Sequence, residues 1–197
     1  MMYDDASFKT YSYAVGEYMG LLLLNSYNGL LEKCEYDYQM LESSKRNPDY
    51  EYHVFNLVMG LNHLFEWYLK EGCNSAQQKM ECITRFNPFS SLNNVSSDFK
   101  SLYSKFPTFP RINVGQEAIR KLCNNAKHFK SSVPHKARKH HTAVMGKKGI
   151  CLGNKSAMCG AFSHLEYTVS LGDQEINVVT LLAKLLEEWK SFVEETA

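Results

Sequence analysis

The sequence predicts a mainly α-helical protein, a helical bundle with a small C-terminal β-hairpin. Three observations carry this prediction. Apolar residues recur at three- and four-residue steps over most of the chain, Asn-Pro-Asp and Gly punctuate those runs, and alternation of apolar with other residues appears near the end, from His164 onward.

Over residues 26–44, Tyr27, Leu30, Leu31, Cys34, Tyr38 and Leu41 mark one face of a helix while Glu32, Lys33, Glu35 and Glu42 fill the gaps. Asn47-Pro48-Asp49 breaks that run and offers Asp49 as the N-cap of a second helix over about 50–70. This helix is apolar almost all round, through Tyr52, Val54, Phe55, Leu57 and Leu61 to Trp67. It is therefore expected at the centre of the bundle with Trp67 buried, and Gly72 closes it. Two weaker patches, 75–85 and 96–105, predict short helices separated by a loop over 86–95 and followed by Pro107 and Pro110. Residues 7–24 are aromatic-rich and fit a strand as well as a helix start.

Residues 113–130, NVGQEAIRKLCNNAKHFK, form the most informative stretch. Asn113 with Gln116 three residues on fits a capping box. Ile119, Leu122, Cys123, Ala126 and Phe129 make an apolar back. At roughly 100° per residue, Glu117, Lys121, Asn124, Asn125 and His128 gather into one polar stripe on the front. The next stretch, about 131–155, mixes Pro134, several Gly and many Lys, and predicts a mobile basic excursion. Leu165, Tyr167, Val169 and Leu171 then alternate, Gly172-Asp173 turns, and Ile176 and Val178 continue the pattern of a hairpin. Leu181, Leu182, Leu185, Leu186, Trp189, Phe192 and Val193 outline a last helix to about 195.

The overall formal charge of +1 hides a strong asymmetry. Between Ala118 and Leu165 there is no Asp or Glu, whereas Arg120, Lys121, Lys127, Lys130, Lys136, Arg138, Lys139, Lys147, Lys148 and Lys155 all fall there. Removing those ten from the 22 basic residues leaves twelve against all 21 acids. A polyanion is the partner such a segment suits, nucleic acid first, and phosphate contacts are expected from Arg120, Lys127, Lys130, Lys136, Arg138 and Lys139.

At 197 residues, 44% hydrophobic and 13% aromatic, the chain is long and apolar enough for one globular domain spanning 1–197. The start MMYDDAS has acids where a signal peptide carries Lys or Arg, and the run 21–24 is far short of a membrane span, so a cytoplasmic location without membrane contact is expected. The six cysteines are scattered and read as reduced core thiols. Cys151 and Cys159 with His140 and His141 match no usual zinc spacing, so no metal is expected. His63 reads as a packed core histidine. No phosphate-cradling glycine loop, nucleophile elbow or His-Glu-x-x-His helix occurs, which excludes the commonest hydrolase and nucleotide-binding classes.

GLNHLFEWYLKEG in the second helix, paired with RKLCNNAKHFK in the later one, resembles the HEPN superfamily of small helical bundles. The likeness is nearest to a bacterial branch with a Lys-His-Phe element, a hairpin and a Trp-containing last helix, and it spans roughly 26–195. It implies a metal-independent endoribonuclease of bacterial defence or a toxin–antitoxin pair, without cofactor, acting on RNA. It further implies a homodimer and a protein partner such as an antitoxin. A non-catalytic HEPN-like module that binds nucleic acid or protein is the alternative. The family's helix carries Arg, then four to six residues, then His. The His falls on His128. Arg120 leaves seven residues between, while Lys121 leaves six but is Lys, a point charge without the bidentate fork. On this resemblance His128 exchanges the proton of a ribose 2′-OH or of the leaving 5′-oxygen, Lys121 holds the phosphate, and Asn124 and Asn125 orient His128 or the sugar.

Overall fold

A computed structural model of the chain describes residues 24–44, 49–72, 75–127, 138–143, 163–171 and 174–196. Ser26 opens α1 (Tyr27–Ser43), its Oγ accepting the Gly29 N–H at 3.1 Å and satisfying a donor that a helix start leaves orphaned. The chain returns as α2 (Asp49–Trp67), with Asp49 as the first helical residue and not as its cap. The two helices are antiparallel, because Leu30 and Cys34 lie against Gly60 while Asp37 faces His53. Only glycine fits at 60, where a Cβ would stand 2.5 Å from Cys34 Sγ. A π-helical turn, Tyr68–Gly72, ends α2 and buries Tyr68 and Leu69.

A complete capping box at Ser75 and Gln78 starts α3 (Ala76–Phe86). A 3₁₀ turn (Leu92–Asn94) and α4 (Ser97–Tyr103) follow, then α5 (Val114–Lys127). The last helix, α6 (Val178–Thr196), begins where Asn177 Oδ1 accepts the Val179 N–H at 2.9 Å. The expected hairpin is present as β2 (Ser163–Leu171) and β3 (Gln174–Asn177), with Val169 opposite Ile176. A third strand was not anticipated: β1 (Arg138–Ala143) lies inside the predicted basic excursion and pairs antiparallel with β2, Arg138 opposite Thr168. Its sequence, RKHHTA, lacks the apolar alternation by which strands are read. The rest of 131–155, and residues 1–23, lie outside the described residues.

The core is filled mainly from one face each of α1, α2, α3, α5 and α6, with Phe99 and Tyr103 of α4 and Val169 of β2 completing it. Trp189 is its centre, fully buried and stacked on Phe86 with ring centroids 3.8 Å apart. Trp67, expected to be buried, is only partly so and packs against the edge of this cluster. The N-terminal half of α2 also departs from expectation, since Tyr52 and Phe55 stand exposed. An all-round apolar helix gives no indication from sequence of which side faces the core.

Cys34, Cys82 and Cys123 are buried as thiols outside any disulfide, packed as small apolar residues. Burial pushes the Cys34 thiol up from 9.0 to about 12, with Asp37 and Glu35 adding to the shift against Lys33. The neutral thiol thus contributes stability that is whole below pH 9 and is lost as pH rises from 9 toward 12. Urea midpoints measured across that window should fall less steeply in Cys34→Ala than in the parent chain.

Candidate nucleic-acid interface at the end of α5

Asn113 Oδ1 accepts the Gln116 N–H at 2.9 Å and its carbonyl accepts the Glu117 N–H at 2.9 Å, which fixes the start of α5. Only half of the predicted capping box forms. The Gln116 side chain turns inward, fully buried, donating from Nε2 to the Leu61 carbonyl at 3.0 Å and accepting from Trp189 Nε1 at 3.2 Å. One amide therefore ties α5 to both α2 and α6 and holds the helix in a fixed rotation. Ala118, Ile119, Leu122 and Cys123 are buried behind it, and the Cys123 thiol meets Met59 Sδ at 3.3 Å. These two anchors run from Leu61 to Met59 as α5 advances, so the end of α5 points toward the start of α2.

Of the predicted stripe, Glu117 and Lys121 do share a face. They form an ion pair at 2.9 Å, with side chains 18% and 29% exposed, so the Lys121 charge is already partnered. Asn124 and Asn125 follow on the same helix and are half-buried. Ala126, expected on the apolar back, is exposed, because the helix runs past the edge of the core there. Arg120 points away from the stripe. Its Nε donates to the Pro88 carbonyl at 3.3 Å and its guanidinium lies 5.2 Å over the Phe89 ring, a packing role that an isolated basic run does not reveal. Burial pushes the Arg120 pKa down, partly opposed by Glu117. Lys127 ends the described helix, and Arg138 and Lys139 begin β1. His128, Lys130 and Lys136 lie outside the described residues.

Two further features of the structure leave no mark in the sequence pattern. Asp37, only 4% exposed, is held by Lys33 and faces His53, whose Nδ1 is buried 3.8 Å from Asp37 Oδ1. Asp37 falls on the buried side of α1, yet a lone carboxylate in a helix gives no sign of its partner across the hairpin. Second, an open groove of about 560 Å³ lies between the start of α5, the sheet and α6, with Arg111, Val114, Leu171, Ile176, Leu181 and Lys184 among its lining. A helix of 14 residues is roughly 20 Å long, so this groove is far from the Asn124–Asn125 end.

Among the described residues no group of three or more His, Cys, Asp or Glu is placed to hold a metal, and no helix is long and apolar enough to cross a membrane. What the geometry defines is a mainly α protein whose helix α5, packed on α2, carries the Glu117–Lys121 pair at the start of the acid-free stretch. No protein-family model matches the chain, and no curated protein or solved structure does either.

Proposed function

We propose that the protein acts on RNA through the end of α5 and the basic stretch that follows it, as a HEPN-like, metal-independent endoribonuclease. The observation that supports this reading is the face of α5 itself: Glu117 and Lys121 pair on one side of the helix, the acid-free segment begins between them, and helical spacing sets Asn124 and Asn125 one turn beyond Lys121. In the reaction the ribose 2′-oxygen attacks phosphorus and the bond to the 5′-oxygen breaks, leaving a 2′,3′-cyclic phosphate. His128 takes the 2′-OH proton or supplies one to the departing oxygen, its ordinary pKa near 6.5 suiting either task. Lys121, released from Glu117 by a bound phosphate, stabilises the charge that grows on the phosphoryl oxygens. The setting that fits is the cytoplasm of a bacterial cell, in defence or a toxin–antitoxin pair, with the chain as a homodimer and an antitoxin as its protein partner.

The Glu117–Lys121 ion pair favours a second reading, in which the same face binds nucleic acid without cutting it. One experiment separates the two. Purified protein is incubated with total RNA and with matched DNA, with and without EDTA. Cleavage of RNA alone, persisting in EDTA and abolished in His128→Ala with stability within about 1 kcal/mol of the parent, is the expected result. Activity that survives in His128→Ala, or vanishes in EDTA, discards the mechanism. RNA binding without cleavage leaves the second reading. In both, affinity should fall steeply with salt, and neutralising Lys136, Arg138 and Lys139 together should flatten that slope.

A further inference from the structure

Among the described residues, the outer face of the α1–α2 hairpin is aromatic, acidic and exposed. Tyr36, Tyr52 and Phe55 are 58%, 61% and 48% exposed. Their positions follow from the contact between Asp37 and His53, where the two antiparallel helices meet. Tyr36 precedes Asp37 by one residue and Tyr52 precedes His53 by one. At roughly 100° per residue each is rotated by the same angle from the contact, and in an antiparallel pair those rotations carry both to the same side. Phe55 falls farther round on that side. The buried residues Cys34 and Leu41 of α1, and Leu57, Leu61 and Leu64 of α2, rotate the other way, into the core. The three rings therefore form one patch facing away from the protein.

Among the described residues, the exposed charges beside these rings are acidic. Glu32 lies one turn from Tyr36 and Asp49 one turn from Tyr52, and both are exposed. Of the other carboxylates of α1 and α2, Asp37 is buried against Lys33, Glu35 pairs with Lys190 and Glu51 accepts from the Tyr167 hydroxyl, which leaves Glu32 and Asp49 as the acids beside the rings. Phosphates are repelled by such a face. A second copy of it is too, since a two-fold contact would set carboxylate against carboxylate. Cations are attracted twice, by the carboxylates and by ring faces that receive Lys or Arg in cation–π contact.

We propose that the α1–α2 face is a docking surface for a Lys- and Arg-rich protein segment, with Tyr36, Tyr52 and Phe55 as stacking platforms and Glu32 and Asp49 as its charge partners. This surface is independent of the RNA reading, as it lies on different residues and takes the opposite charge. The test uses the full chain freed of nucleic acid and a fluorescein-labelled peptide spanning residues 131–155, the acid-free stretch of this same sequence, with an analogue in which Glu replaces every Lys and Arg. Anisotropy should show saturable binding of the basic peptide only, weakening about tenfold or more between roughly 50 and 300 mM salt. Tyr36→Ser with Tyr52→Ser and Phe55→Ser should weaken it at least tenfold, and Glu32→Gln with Asp49→Asn several-fold. Circular dichroism and the thermal midpoint of each variant verify that these surface changes leave the fold intact. The proposal is overturned if the basic peptide does not bind, if the acidic analogue binds as well, or if both variants bind like the parent. It is equally overturned if sedimentation shows that the patch mediates self-association while the peptide is ignored.

Discussion

Trp189→Ala is expected to lower the unfolding free energy by on the order of 3–5 kcal/mol, the largest loss at any single core position. Trp189 is fully buried. It stacks on Phe86 at 3.8 Å with an interplanar angle of 7°, meets Tyr68 and Phe192 with ring centroids 6.0 Å away, and donates its indole N–H to Gln116. Truncation opens a cavity between α3, α5 and α6 and also strands the Gln116 Oε1 acceptor in an apolar surrounding. Trp67→Ala serves as the control, because Trp67 is only partly buried at the cluster edge and should cost less than half as much. Urea denaturation with the slope held constant measures both. A Trp189→Ala loss below about 1 kcal/mol, or one smaller than that of Trp67→Ala, contradicts the assigned packing.

Asn87→Ala should rank next, at roughly 3–4 kcal/mol, although it removes almost no apolar surface. The side chain is fully buried just past the end of α3 and works as a junction. Its Nδ2 donates to the carbonyls of Phe89 at 3.0 Å and Pro110 at 2.8 Å, while its Oδ1 accepts from the Phe89 N–H at 3.0 Å and the Tyr103 hydroxyl at 2.8 Å. Truncation leaves several buried polar groups without a partner at once, each worth on the order of 1 kcal/mol or more. Tyr103→Phe removes one donor while Asn87 Oδ1 keeps the Phe89 N–H, and should be milder, about 1 kcal/mol. In a double-mutant cycle the two changes should be clearly less than additive.

The helices were legible because their apolar spacing is the direct imprint of one buried face, and Ser26, Ser75 and Asn113 mark their starts with side chains that bond the first free N–H groups. The buried polar junctions were not. Gln116 and Asn87 read as surface residues by type, and only the carbonyls of Leu61 and Pro110, distant in sequence, explain why they are inside. Trp67 and Trp189 changed places in importance for a related reason: α2 is apolar on every side, so its pattern could not point Trp67 inward or Tyr52 and Phe55 outward. Within the candidate site, the i to i+4 spacing of Glu117 and Lys121 was readable and their pairing is realised. The commitment of Arg120 to Phe89 was not, since it depends on the loop after α3.

The placement of α6 bears on how the chain is made. This helix supplies Leu182, Leu185, Leu186, Trp189 and Phe192 to a core otherwise contributed mostly by elements far upstream, and it touches α1, α2, α5 and the sheet. During synthesis, Tyr68, Phe86 and Gln116 emerge from the ribosome long before the tryptophan that covers them. At ribosomal rates of 5–20 residues per second, the 19 residues of α6 alone take about one to four seconds. Over that interval the apolar residues of α2, α3 and α5 that α6 covers in the folded chain have no such cover, and the seam closes only after α6 is made.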